Sequence, residues 1–88
     1  MMNVPQTQER IREILRTNGH MADANQLESS LDLYAAGLTS FSAVRLMLAL
    51  EGAFDIEFPN KMLNRRSFSS IDAITHCVEE IAERRARN

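Results

Sequence analysis

Three stretches of the chain repeat their apolar residues every three or four positions, the period of a helix with one buried side. None sustains the alternation of a strand. The first stretch predicts a helix over residues 5–17, with Pro5 in its first turn, Ile11, Ile14 and Leu15 as the buried stripe, and Asn18-Gly19 as a left-handed stop. The second, residues 40–54, is entered through Gly37 and capped by the Thr39 hydroxyl. It carries two stripes. Ala43, Leu46, Met47, Leu50 and Phe54 make a core face, while Phe41, Val44 and Leu48 lie around the cylinder from it, with Arg45 alongside. A helix apolar over so wide an arc is either buried all round or holds a partner on its outer side. The third helix is predicted over residues 70–85, with Ser69 and Asp72 resembling a capping box, Ile71, Ile74, Val78 and Ile81 on one face, and Arg84 and Arg85 complementing the C-terminal dipole.

Two connections complete the pattern. Pro59-Asn60 breaks a brief alternation, and residues 60–66 predict one or two short helical turns with Met62 and Leu63 as apolar contacts. Residues 19–39 are long for an unstructured connection, so they are expected to form an ordered loop anchored by Leu27, Leu31, Leu33 and Tyr34, with a turn at residues 31–34. The pattern as a whole predicts one all-α domain spanning 1–88.

Composition narrows the functional classes. With 44% apolar and 25% charged residues the chain reads as globular, and a net charge of −2 carries no nucleic-acid footprint. The basic residues at Arg65-Arg66 and at Arg84, Arg85 and Arg87 read as solvated helix ends and tail. Cys77 is the sole cysteine, so no intrachain disulfide or Cys-rich metal set exists, and His20 and His76 are read as surface or structural residues. The apolar block 46–50 is too short to span a bilayer, and residues 1–8 lack the basic flank and apolar run of a leader, so a cytoplasmic location is expected.

No nucleophile with a matched base, carboxylate pair, glycine-rich phosphate loop or metal cluster can be assembled. One place stands out, the run from Asp32 to Phe41, which sets the Ser40 hydroxyl in the first turn of a helix directly after a glycine-bearing turn. Open amides and the helix dipole favour an anion there. On spacing alone a Thr-Ser pair reads first as a cap, and the outer stripe reads equally as core beneath the long loop. Ser42 is a competing hydroxyl deeper in the helix, where an anion gains less from the terminus.

Asp32-Leu33, Gly37-Leu38-Thr39-Ser40-Phe41, Val44, Leu46, Leu50-Glu51, and the closing Phe54-Asp55-Ile56-Glu57-Phe58-Pro59 together resemble the acyl carrier protein family over about residues 27–82. The resemblance implies a four-helix bundle with a short third helix at residues 60–66 and a long ordered loop between helices one and two. It implies that Ser40 receives 4′-phosphopantetheine from coenzyme A through a phosphopantetheinyl transferase. It implies too that Phe41, Val44, Arg45 and Leu48 dock partner enzymes: an acyl- or amino acid-activating ligase and a downstream synthase or transferase. Such a chain is a carrier, not an enzyme, and is expected to be a monomer. Two departures bear on the partners. Thr39 stands where the family usually has Asp, and helix two lacks the acidic residues of fatty-acid carriers, so docking should lean on apolar contact. The chain is similar to stand-alone carriers loaded with an amino acid by a truncated relative of seryl-tRNA synthetase. The competing readings are an unmodified helical adaptor using the same outer face, and a helix-turn-helix DNA binder, which the charge disfavours.

Overall fold

The computed structural model describes residues 4–87. The first three positions of the 1–8 stretch considered for a leader, and Asn88, lie outside the described residues. Among these residues there are three α-helices, α1 (Val4–Thr17), α2 (Ser40–Phe54) and α3 (Ile71–Arg87), with short 3-10 turns between them and no strand. α1 packs against α3 and α2. Ile11, Leu15, Leu33, Leu46, Leu50, Ile71, Ile74 and Val78 are wholly enclosed where they meet. Each contributes about 1.5–3 kcal/mol from burial.

The end of α1 differs from its expected form. Gly19 is needed for space, not for a left-handed dihedral: a Cβ there would stand 2.9 Å from the Leu15 carbonyl oxygen. The left-handed residue is His20, with φ 59°. The chain then closes back on the helix as the Met21 amide donates to Leu15 O at 3.1 Å.

Residues 19–39 hold one 3-10 turn, Ala24–Gln26. Arg12 reaches from α1 and donates to the carbonyls of Ala24 and Leu27 at 2.8 and 2.6 Å. The far side is tied by the Leu33 amide to Ser69 O at 2.7 Å and the Asp72 amide to Ser29 O at 2.9 Å. Leu33 is fully buried, and Leu27 and Tyr34 pack partly against the core. Leu31, expected as an anchor, is 38% exposed; Met21, Ala24 and Leu38 are buried in this segment instead.

Residues 60–66, expected to hold one or two short helical turns, form two 3-10 turns, Asn60–Met62 and Arg65–Phe68, rather than the single short third helix that the resemblance implies. The break has a local cause. The Asn64 side chain accepts the Ser67 amide at 3.0 Å and so starts a new turn. Met62 is buried as expected, but Leu63 is 45% exposed, and Phe68 takes the inward place against Phe58, ring centroids 5.4 Å apart. α3 is capped by Ser70, whose Oγ accepts the Ala73 amide at 3.0 Å. The expected Ser69–Asp72 box does not form: Ser69 Oγ donates to Arg66 O, and the Asp72 carboxylate accepts from Gln8.

Candidate functional site

The approach to α2 is built by side chains that fold the backbone back on itself. Asp32 Oδ1 accepts the amides of Tyr34 and Ala35 at 3.0 and 3.4 Å, closing an Asx turn. The Leu38 amide donates to Leu33 O at 2.9 Å, and Gly37, at φ 124°, makes the reversal with a dihedral that L side chains rarely adopt. Thr39 follows as the cap. Its Oγ1 accepts the Ser42 amide at 3.0 Å and donates to Ser42 Oγ at 3.0 Å. The first internal bond of α2 runs from the Ala43 amide to Thr39 O.

This arrangement sorts the hydroxyls. Ser42 is buried and its Oγ is taken by Thr39. Ser40 is exposed, and its hydroxyl bonds to no described residue. The amides of Ser40 and Phe41 likewise donate to no described group, so unpaired N–H groups and the positive end of the dipole lie at the same end of the helix as that oxygen. A phosphodiester on Ser40 Oγ would meet no wall and would gain from those donors, so the residues present fit a phosphate-linked group.

The outer stripe of α2 is not core beneath the loop. Phe41, Val44 and Leu48 are 71%, 55% and 58% exposed. They lie at i, i+3 and i+7 and form one apolar ridge. Arg45 is exposed beside them, its guanidinium carbon 5.9 Å from the Phe41 ring centre. Their inward counterparts Ala43, Leu46 and Leu50 are buried.

An open groove of about 510 Å³ runs along α2 from Ser40, between Val44 and Met47 on one side and Leu63, Arg65 and Phe68 on the other. Its cationic member escapes sequence reasoning: Arg65, read as a solvated charge, sits over Tyr34 with its guanidinium carbon 3.9 Å from the ring centre. Two residues 31 positions apart give no periodic signal of their meeting. Burial pushes the Tyr34 phenol above its ordinary range; Arg65 opposes this and Asp32 adds to it. Cys77 lies in α3, buried among core residues. Burial raises its thiol, the Ser67 hydrogen bond opposes this, and Glu80 adds to it. No group of three or more His, Cys, Asp or Glu among the described residues could hold a metal. None of the described helices is long and apolar enough to cross a membrane.

A short helical fold with one free serine at the head of an exposed apolar helix is the form of a carrier domain. Residues 9–78 match the family described as phosphopantetheine attachment site, and the chain belongs to that family, whose members carry covalently attached 4′-phosphopantetheine. Over 74 residues the chain is 51% identical to the aminoacyl carrier protein of Agrobacterium fabrum, covering 83% of this chain and 89% of the relative. It also resembles a chain in the crystal structure of an engineered Bradyrhizobium japonicum glycine:[carrier protein] ligase complexed with carrier protein from Agrobacterium tumefaciens and AMP. That likeness has a TM-score of 0.78 at 51% identity and covers 82% of this chain and 97% of the other. A solution structure from Agrobacterium tumefaciens gives a TM-score of 0.72 at 46% identity, covering 92% and 99%.

Proposed function

We propose that this chain is an aminoacyl carrier, with 4′-phosphopantetheine on Ser40 and with Phe41, Val44, Arg45 and Leu48 as its docking face. The reading is carried by the Ser40 hydroxyl, exposed and unbonded among the described residues at the head of α2, beside the apolar ridge. In the attachment step Ser40 Oγ forms a bond to the phosphorus bearing the pantetheine of coenzyme A. The pyrophosphate P–O bond breaks, 3′,5′-ADP leaves, and the hydroxyl proton passes to a base of the transferase. The group supplies a flexible arm whose terminal thiol holds cargo as a thioester. The apolar ridge keeps the carrier on its partner while the arm reaches inside. The relatives' names support an amino acid as cargo, and the ligase in the neighbouring structure makes glycine the first to test. In this reading a ligase related to seryl-tRNA synthetase loads a monomeric single carrier domain in the cytosol, and a downstream transferase or synthase unloads it.

The test is intact-mass measurement after incubation with coenzyme A and a broad-specificity phosphopantetheinyl transferase. One group should be added to the wild type and to Ser42→Ala, and none to Ser40→Ala. A glycine:[carrier protein] ligase with ATP should then add one glycine to the modified chain only. Uptake by Ser40→Ala would refute the assignment. Partner binding that needs no modification would favour the adaptor reading.

A further inference from the structure

We infer that Arg65, held on the face of Tyr34, binds the phosphate at the root of the arm and turns the arm down the groove beside α2; this rests on Ser40 being the attachment point. The four residues that α2 gives to the groove are Ser40, Ala43, Val44 and Met47. At i, i+3, i+4 and i+7 they form a single stripe, so a substituent on Ser40 leaves the helix directly into the groove. The opposite wall offers Arg65, Asn64, Leu63 and Phe68.

Arg65 has the features of a phosphate holder. It is in none of the ion pairs among the described residues; those belong to Arg10, His76, Arg84 and Arg85. Stacking 3.9 Å over Tyr34 engages the flat face of the guanidinium and leaves its N–H edge for a two-pronged bond to phosphate oxygens. Tyr34 is itself fixed, its amide bonded to Asp32 Oδ1 and its neighbour Leu33 bonded to Ser69 O. Asn64 is neutral, and its side chain is already engaged, its oxygen accepting Ser67 and its amide nitrogen donating to Lys61 O, so the charge at this wall comes from Arg65. The phosphodiester's single negative charge therefore meets one free, oriented cation at the groove, with an apolar track of Val44, Met47 and Phe68 beyond it for the methyl-bearing part of the arm.

The probe is the modified protein itself, with uniform nitrogen labelling, observed by phosphorus NMR and through the Arg65 Nε–H signal. Modification should shift the Arg65 signal and leave the phosphorus signal away from that of a free phosphodiester. Because Arg65 is exposed, Arg65→Gln should lower the docked fraction by about two- to fivefold, and high salt should act in the same direction. Arg65→Lys should retain part of the effect, as a charge without the fork geometry. Circular dichroism should show both variants folded. Phosphorus and arm signals identical in wild type and Arg65→Gln, with Ser40 fully modified, would overturn the inference and leave the carrier reading intact. So would an Arg65→Gln effect confined to ligase affinity, which would make Arg65 a partner contact. Failure of Ser40 to take up the group would sink both.

Discussion

Replacing Leu46 and Leu48 of α2 by alanine, one at a time, separates the helix's inner face from its outer one. Leu46 is wholly buried and Leu48 is 58% exposed, although they stand two residues apart. Leu46→Ala removes enclosed methyl groups and leaves a cavity, at a cost of about 2–5 kcal/mol. A domain of this length holds only about 4–13 kcal/mol in total. Its midpoint should fall by about 8–40 °C, at roughly 4–8 °C per kcal/mol. Leu48→Ala should move the midpoint by less than about 4 °C, since exposed positions change stability by about 0.5 kcal/mol or less. Its effect should appear on docking. With more than half of its side chain left to bury, at about 1.5–3 kcal/mol for a whole leucine, about 1 kcal/mol is lost, a fivefold weaker Kd. Thermal melting and titration calorimetry against a glycine:[carrier protein] ligase measure the two effects. Equal destabilisation by both variants would refute the two-face reading of α2. Unchanged affinity for Leu48→Ala and Phe41→Ala together would refute the docking face.

Thr39→Ala should cost about 1 kcal/mol, because Thr39 is the side chain capping α2, and chemical denaturation should register it without loss of helix content. Native Cys77 should react with iodoacetamide more than about tenfold more slowly than in urea, because alkylation needs the core to open. Its raised pKa sets the sign of the alkaline limb: the stability it contributes is complete below the unfolded thiol's pKa and disappears as pH rises through the folded value. Urea titrations on either side of pH 9 measure it, the ordinary value being 9.0.

The features legible in the sequence are those written with helical period. The second helix occupies the residues its stripes predicted, and the separation of Leu46 from Leu48 follows from spacing alone. The exposure of the outer stripe does not, because a buried helix carries the same pattern. The short turns over residues 60–66 are legible, but the break between them and the inward place of Phe68 are not, because a single side-chain bond, Asn64 to Ser67, leaves no repeat. One tie of the loop comes from Arg12, a charged residue that helical period leaves outside the apolar stripe, yet its guanidinium holds two carbonyls. Arg65 was discounted for the same reason. A cation's partner is invisible until the fold brings it near.

What unites the site is the phase of one helix. At about 100° per residue, taking Ser40 as zero, Ala43, Leu46 and Leu50 point near 240–300° and Phe41, Val44 and Leu48 near 40–100°. Ser40 and Met47 fall in the gap between them, where the groove runs. The buried set is locked in the core, so it fixes the directions of the other two sets without any further contact. On the proposed reading, that geometry sets the attachment point beside the docking ridge, with Val44 shared between ridge and groove. Inserting one residue between Ser40 and Ala43 would turn Ser40 by about 100° against the core-facing residues. The hydroxyl would leave the groove, and the buried Leu38 and the Thr39 cap would be displaced with it.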